Sequence, residues 1–248
     1  MTPKFTPMSL IWMPCCLRRI SGLQPGCRPD PITGLSVPTS LLPNNRRTIS
    51  MARDYLNQPP NALRRDDRGV EDEAWMVNFL QNAAVGTLAL SHDGQPFVNT
   101  NLFVYDADAH CIYTHTARVG RTRSVVEANP KACFSVMEMG RMLPAPEALE
   151  FSVEYAGVTC FGEVSIVEDG QAATDALQRL LDKYAPHLHP GDDYRPPVPQ
   201  ELVRTSVFRL DITSWSGKKK EVAADFPGAF WYSEQPVLAS AAAQPTED

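Results

Sequence analysis

The sequence predicts a mainly β fold: a closed or nearly closed antiparallel barrel of at least six strands, flanked by helices. Three observations carry this expectation. Short apolar runs alternate with turn signals from Ala84 to Ile212, the punctuation of antiparallel hairpins. The helical stretches lie at the edges of that region, without the strand–helix–strand rhythm of a parallel sheet. No G-x-G-x-x-G or Walker A loop occurs, which sets Rossmann and P-loop architectures aside.

The elements follow in order. Glu71, Asp72 and Glu73 place negative charge where a helix begins, and Trp75/Phe79 and Met76/Leu80 are i,i+4 pairs, so Glu71–Asn82 reads as an amphipathic helix. Ala84–Leu90 reads as a strand, and Asp93-Gly94 turns it into a second, Pro96–Tyr105. After a turn over residues 106–109, His110–Thr116 is a third strand, with Ile112 and Thr114 on one face and Cys111, Tyr113 and His115 on the other. These three strands form a meander. Gly120–Asn129 is a short helix stopped by Asn129-Pro130. Ala132–Met137 is a fourth strand, and residues 139–149 read as a loop. Phe151–Val167 is long enough for one bent strand or two, with Gly157 and Gly162 as bend points. A helix over Gln171–Tyr184, a proline-rich loop, a short helix near Glu201 and a last strand, Ser206–Ile212, complete the chain.

The chain has 248 residues, of which 43% are hydrophobic and 21% charged, enough for a real core. A net charge of −6 argues against a nucleic-acid-coating protein. No apolar run reaches the ~20 residues of a membrane helix. The six cysteines include no C-x-x-C pair, so a zinc ribbon or thioredoxin-type centre is not expected.

These averages hide a seam. Residues 1–50 hold six basic residues and one acid, a net +5, so residues 51–248 carry −11. The same segment holds eight of the 22 prolines, which remove backbone donors and leave no apolar period. It reads as a disordered leader, or as upstream sequence with Met51 the working start. Its arginine-rich, acid-poor composition also fits an organelle import signal. The expected organisation is a folded domain over 51–232, a disordered tail over 233–248, and a cytoplasmic location, with organelle import as the alternative.

Chemistry-bearing residues concentrate after the third strand. His187 and His189 are two loop histidines without a third ligand, so no metal site is expected. Glu150 and Glu154 stand about 13 Å apart on a strand, too far for a glycosidase pair, and no G-x-S-x-G elbow occurs. His115 and Thr116 differ. They close a strand just before Arg118, Arg121 and Arg123 and a helix start. Backbone N–H groups and forked guanidinium donors together make an anion site. The alternative is a solvated helix face with Glu127 as partner. Trp215 and Lys218 could cover a ring and reach a phosphate, or form a plain basic turn.

The ordered set Arg64-Arg65-x-x-Arg68-Gly-Val, Val85-Gly-Thr-Leu-Ala, Asp93-Gly-Gln-Pro-Phe-Val, Ile112-Tyr-Thr-His115, Gly120-Arg121, Asn129-Pro130, Glu150-Phe-Ser-Val-Glu-Tyr155 and Ser216-Gly-Lys218 resembles the pyridoxamine 5′-phosphate oxidase-like, FMN-binding split-barrel superfamily, nearest its nitroimidazole-resistance (Nim) branch. The resemblance spans about residues 62–220. It implies a six-stranded split barrel that forms a homodimer with two FMN sites at the interface. Val98, Asn99, Thr100 and Asn101 would run beside the flavin ring, and His115 and Thr116 would line the pocket, His115 as the catalytic residue. Arg121 and Arg123 would hold the phosphate, and Trp215 and Lys218 would close the site. Thr122 stands where many members have a lysine, and the late basic cluster of the vitamin B6 oxidases is missing. The implied activity is an FMN-dependent reductase passing electrons from NAD(P)H to a small electrophile such as a nitro compound, with no nucleic-acid or membrane partner. The alternative is a non-catalytic flavin- or haem-binding barrel.

Overall fold

The computed structural model describes residues 55–234. The expectations for residues 1–50, for Met51 as a start, and for the tail beyond residue 234 lie outside the described residues.

Eight strands and three helices follow one another. β1 is Gly69–Val70, α1 Glu73–Asn82, β2 Gly86–His92, β3 Gln95–Asn101, β4 Phe103–Asp106 and β5 Cys111–Ala117. Then come α2 (Arg121–Ala128), β6 (Lys131–Leu143), β7 (Ser152–Ile166), α3 (Gly170–Tyr184) and β8 (Thr205–Lys220). All pairings are antiparallel, in the order β3-β2-β6-β7-β8-β5-β4, with β1 added to β8. No helix among the described residues is long and apolar enough to cross a membrane.

The local chemistry explains the elements. Asp72 caps α1 by accepting from the Trp75 amide at 3.2 Å. Asp93 and Gly94 both take positive φ, 48° and 75°, the paired left-handed geometry of a two-residue hairpin. Gly162 marks a register shift between β7 and β8, where a Cβ would lie 1.9 Å from the Asp211 carbonyl oxygen.

Six strands were expected; the sheet has eight. The run read as one strand, Pro96–Tyr105, breaks at Leu102 into β3, which pairs with β2, and β4, which pairs with β5. These are the two ends of the strand order. In a flat sheet they would be about 29 Å apart at the usual strand spacing, yet one residue joins them, a reach of about 7 Å. The sheet therefore rolls up. The ladder itself stays open, because β3 and β4 are not hydrogen-bonded to each other.

The inner face holds the core: Leu88, Phe103, Ile112, Phe134, Val158, Cys160 and Phe208 are all nearly or fully buried. Met76 and Leu80 from α1 and Val125 and Val126 from α2 join them. A second cluster lies on the outer face of β5 and β8, where Ala173 and Ala176 of α3 cover Val207, Tyr113 and Leu202. β7 matches the long strand expected over Phe151–Val167, whereas β6 and β8 run longer than their apolar alternation indicates, so residues 139–143, read as loop, belong to β6. Near the distal end of β6 and β7, Arg141 and Glu154 pair through two bonds of 2.8 Å, and Arg141 also reaches the Ala224 carbonyl at 2.8 Å.

Candidate functional site

The arginine cluster of the sequence separates into three environments. Arg118 is committed to the backbone: its guanidinium donates to the Leu202 carbonyl at 2.9 Å. Arg123 is filled as well, donating to Glu127 at 2.7 Å, Ser206 at 3.0 Å and Glu168 at 3.3 Å. Arg121, the first residue of α2, is exposed, and its guanidinium has no partner among the described residues. Of the two arginines expected to hold a phosphate, Arg121 alone is open to one.

Thr122 is buried and turned inward, accepting from the Asn99 side-chain amide at 3.0 Å. Residue 122 thus ties α2 to the sheet and faces away from solvent. Asn99 and Asn101 share the inner face of β3, whereas Val98 and Thr100 point outward, and Thr100 meets the Thr87 hydroxyl at 2.9 Å. What β3 offers as a unit is its backbone edge, since it pairs on one side only. The Nδ2 of Asn101 is buried and has no hydrogen-bond partner among the described residues. A native protein leaves few such groups unsatisfied, so this atom marks a place for a ligand or water acceptor.

His115 and Thr116 were expected to line one pocket. Strand alternation puts them on opposite faces. Thr114 is inside, donating to the Leu102 carbonyl at 3.1 Å, so Thr116 follows it inward, its hydroxyl donating to the Ala117 carbonyl at 3.0 Å. His115 stands opposite Val207 on the α3 face. Its Nδ1 is buried without a partner among the described residues, and burial pulls its pKa below the ordinary histidine value, so the ring is neutral near pH 7.

Trp215 and Lys218 lie elsewhere on the same chain. Thr116 pairs with Ser206; from there Trp215 is about 30 Å and Lys218 about 40 Å further along β8, by the rise of a strand. Trp215 packs inside, its ring 4.7 Å from His110 and 6.3 Å from Tyr105. Lys218 lies on the outer face, lining a cleft of about 300 Å³ with Met137, Gly157 and Ser216. Asn99, Asn101, Thr116 and Arg121 gather about the start of α2, and Trp215 and Lys218 stand on β8, four strands from β3 in the sheet.

The sequence reading missed a surface feature. Thr100, Thr87, Ser135, Thr159 and Ser216 are successive cross-strand neighbours, a row of hydroxyls across five strands of the outer face. Exposed Val98 and Met137 flank it. Period-two alternation in each strand carries the signal, but the registers are needed to align it. Among the described residues, no group of three His, Cys, Asp or Glu side chains is placed to hold a metal.

The family model described as pyridoxamine 5′-phosphate oxidase matches residues 72–219. No curated protein matches. Among solved structures, a flavocytochrome of Azotobacter vinelandii is similar with a TM-score of 0.57 at 22% identity, over 65% of this chain and 73% of that one. A FAD- and haem-binding protein of Mycobacterium smegmatis aligns with a TM-score of 0.56 at 22% identity, over 62% of this chain and 74% of its own. A protein of Bacteroides thetaiotaomicron, provisionally assigned to 5-nitroimidazole antibiotic resistance, aligns with a TM-score of 0.50 at 19% identity, over 62% and 90%. At these identities the likeness establishes the fold.

Proposed function

Because the chain belongs to the pyridoxamine 5′-phosphate oxidase family of flavin-binding split barrels, we propose that it is an FMN-dependent oxidoreductase, taking electrons from NAD(P)H and delivering them to a small electrophile such as a nitro compound. The observation that carries this reading is the barrel end where unpartnered Arg121, the first turn of α2, the orphaned Asn101 amide and the free β3 edge converge.

These groups fit a flavin phosphate ester. Arg121 and the α2 N–H groups would take the phosphate. Asn101 and the β3 backbone edge would meet the polar rim of the ring. When bound, the flavin supplies the two-electron chemistry, and the protein supplies binding, orientation and electrostatics. His115 stands on the face of β5 opposite Thr116, so an orienting role for it requires a ligand that reaches that face, and its burial disfavours the imidazolium a proton donor needs.

A second copy would bring Trp215 and Lys218 to this site, since in one chain β8 lies four strands from β3, about 19 Å at the usual spacing. A homodimer packed on the hydroxyl row would join the two halves, and the exposed Val98 and Met137 beside that row favour contact there.

The test is the absorbance spectrum of the purified protein, followed by steady-state oxidation of NADH and NADPH. Flavin bands with turnover on a nitroaromatic acceptor are expected. A Soret band would favour the second reading, a haem- or flavin-binding module without turnover. That reading draws on the unpartnered ring nitrogen of His115 and on the haem named for the Azotobacter and Mycobacterium structures. Neither spectrum in a protein refolded with both cofactors would remove both.

A further inference from the structure

A second cleft is lined by none of the residues gathered at the start of α2. It is formed where β6, β7 and β8 continue past the core, between α1 and the segment that follows Lys220, and its volume is about 760 Å³. That size suits a small organic molecule. We propose that this cleft binds a planar aromatic molecule that is not anionic and carries an O–H or N–H donor.

Shape gives the planarity. Trp75 and Phe79 stack on α1, 5.1 Å apart and within 15° of parallel, and both border the cleft. Trp231 borders it from the C-terminal segment and is 47% exposed. The floor between them is low, because Gly140 and Ala156 lie there. At Gly140 there is no room for more, as a Cβ would come within 2.7 Å of the Glu154 Cβ. A flat floor under aromatic walls favours a ring that stacks or meets the walls edge-on.

Charge gives the rest. Arg141 is saturated by Glu154 and by carbonyls of the C-terminal segment. Lys219 pairs with Glu221 at 3.2 Å, and Lys220 donates to the Ser152 hydroxyl. An anionic ligand would have to displace one of these partners. Glu138 remains, exposed at the rim, its carboxylate without a partner among the described residues. A carboxylate only accepts, so the matching ligand brings a donor.

Isothermal titration of the full chain near neutral pH tests this with 2-naphthol, whose hydroxyl stays protonated there. Two controls accompany it: 2-methoxynaphthalene, which lacks the donor, and decahydro-2-naphthol, which keeps the hydroxyl but is not planar. Saturable one-to-one binding of 2-naphthol is expected, about tenfold weaker for the saturated control and weaker by a smaller factor for the ether. Trp231→Ala, at an exposed position, and Ala156→Leu, which fills the floor, should each weaken 2-naphthol by about tenfold. Glu138→Gln should remove the preference for 2-naphthol over the ether. No saturable binding, equal binding of the saturated control, or wild-type affinity in Trp231→Ala overturns the proposal. No flavin is titrated, so this outcome is independent of the flavin reading.

Discussion

The Asn99 side-chain amide donates to the Thr122 hydroxyl at 3.0 Å and so joins edge strand β3 to the first turn of α2. Everything assigned to the flavin phosphate hangs on that tie, because it fixes where Arg121 stands relative to the β3 edge.

Thr122→Val keeps the shape and removes the acceptor. The Asn99 amide is then left unsatisfied in a partly buried place, at a cost of about 1–3 kcal/mol. Urea unfolding should show a lower midpoint with an unchanged slope. Double substitution with Asn99→Ala should recover part of the loss, because the stranded donor is gone.

Arg121→Ala and Arg118→Ala should separate binding from stability. Arg121 is free to meet a phosphate, so its loss should weaken FMN by about ten- to a hundredfold while leaving riboflavin, which has no phosphate, unchanged. Arg118 holds the Leu202 carbonyl, so its loss should lower the melting temperature with little effect on FMN. Equal loss of riboflavin and FMN in Arg121→Ala would falsify the phosphate assignment.

His115 makes the fold acid-sensitive. Its pKa is lowered by burial from the ordinary value of 6.5. Below pH 6.5 the unfolded chain takes up a proton that the folded chain does not, so stability falls as the pH drops from 6.5 toward the folded pKa. His115→Asn removes that component, and the difference in melting between the two proteins should narrow on acidification. If the variant also keeps full turnover with an unchanged pH profile, proton donation by His115 is excluded and only an orienting role remains.

Lys183 follows the same rule at alkaline pH. Its ammonium lies 3.8 Å from the Phe103 ring centroid and 3.4 Å from the Leu80 carbonyl, and burial lowers its pKa from 10.5 to about 8. Between those values the unfolded lysine is charged and the folded one is neutral, so this residue's contribution grows as pH rises from 8 to 10.5. Lys183→Met should lose this trend, seen as a melting difference against the wild type that shifts in the wild type's favour with rising pH.

Local chemistry was legible in the sequence where one segment decides the outcome. Asp93-Gly94 specifies its hairpin, and the acidic entry to α1 specifies its start. The break at Leu102 was not legible, because Pro96–Tyr105 is one unbroken β-prone run and only the partners of its two halves divide it. The end of β8 was missed because Ser214–Lys220 lacks apolar alternation where the strand leaves the core. At the candidate site, the Gly120-Arg121 helix start was readable. The commitment of Arg123 to Ser206 and Glu168 was not, since those partners lie 83 and 45 residues away. The face taken by His115 depends on α3 covering the outer side of β5, which no local pattern encodes.

The single residue between β3 and β4 has a consequence for solubility. Both unpaired edges of the sheet belong to one continuous segment, so each hides behind the curvature that their junction enforces. Cutting the chain at Leu102, which is 46% exposed, would free both edges at once. The rolled sheet could then flatten and present two templates for strand addition from other chains. Limited proteolysis at this joint should therefore convert the protein into an aggregating species before any helix melts, and intact molecules should resist assembly as long as that one peptide link holds.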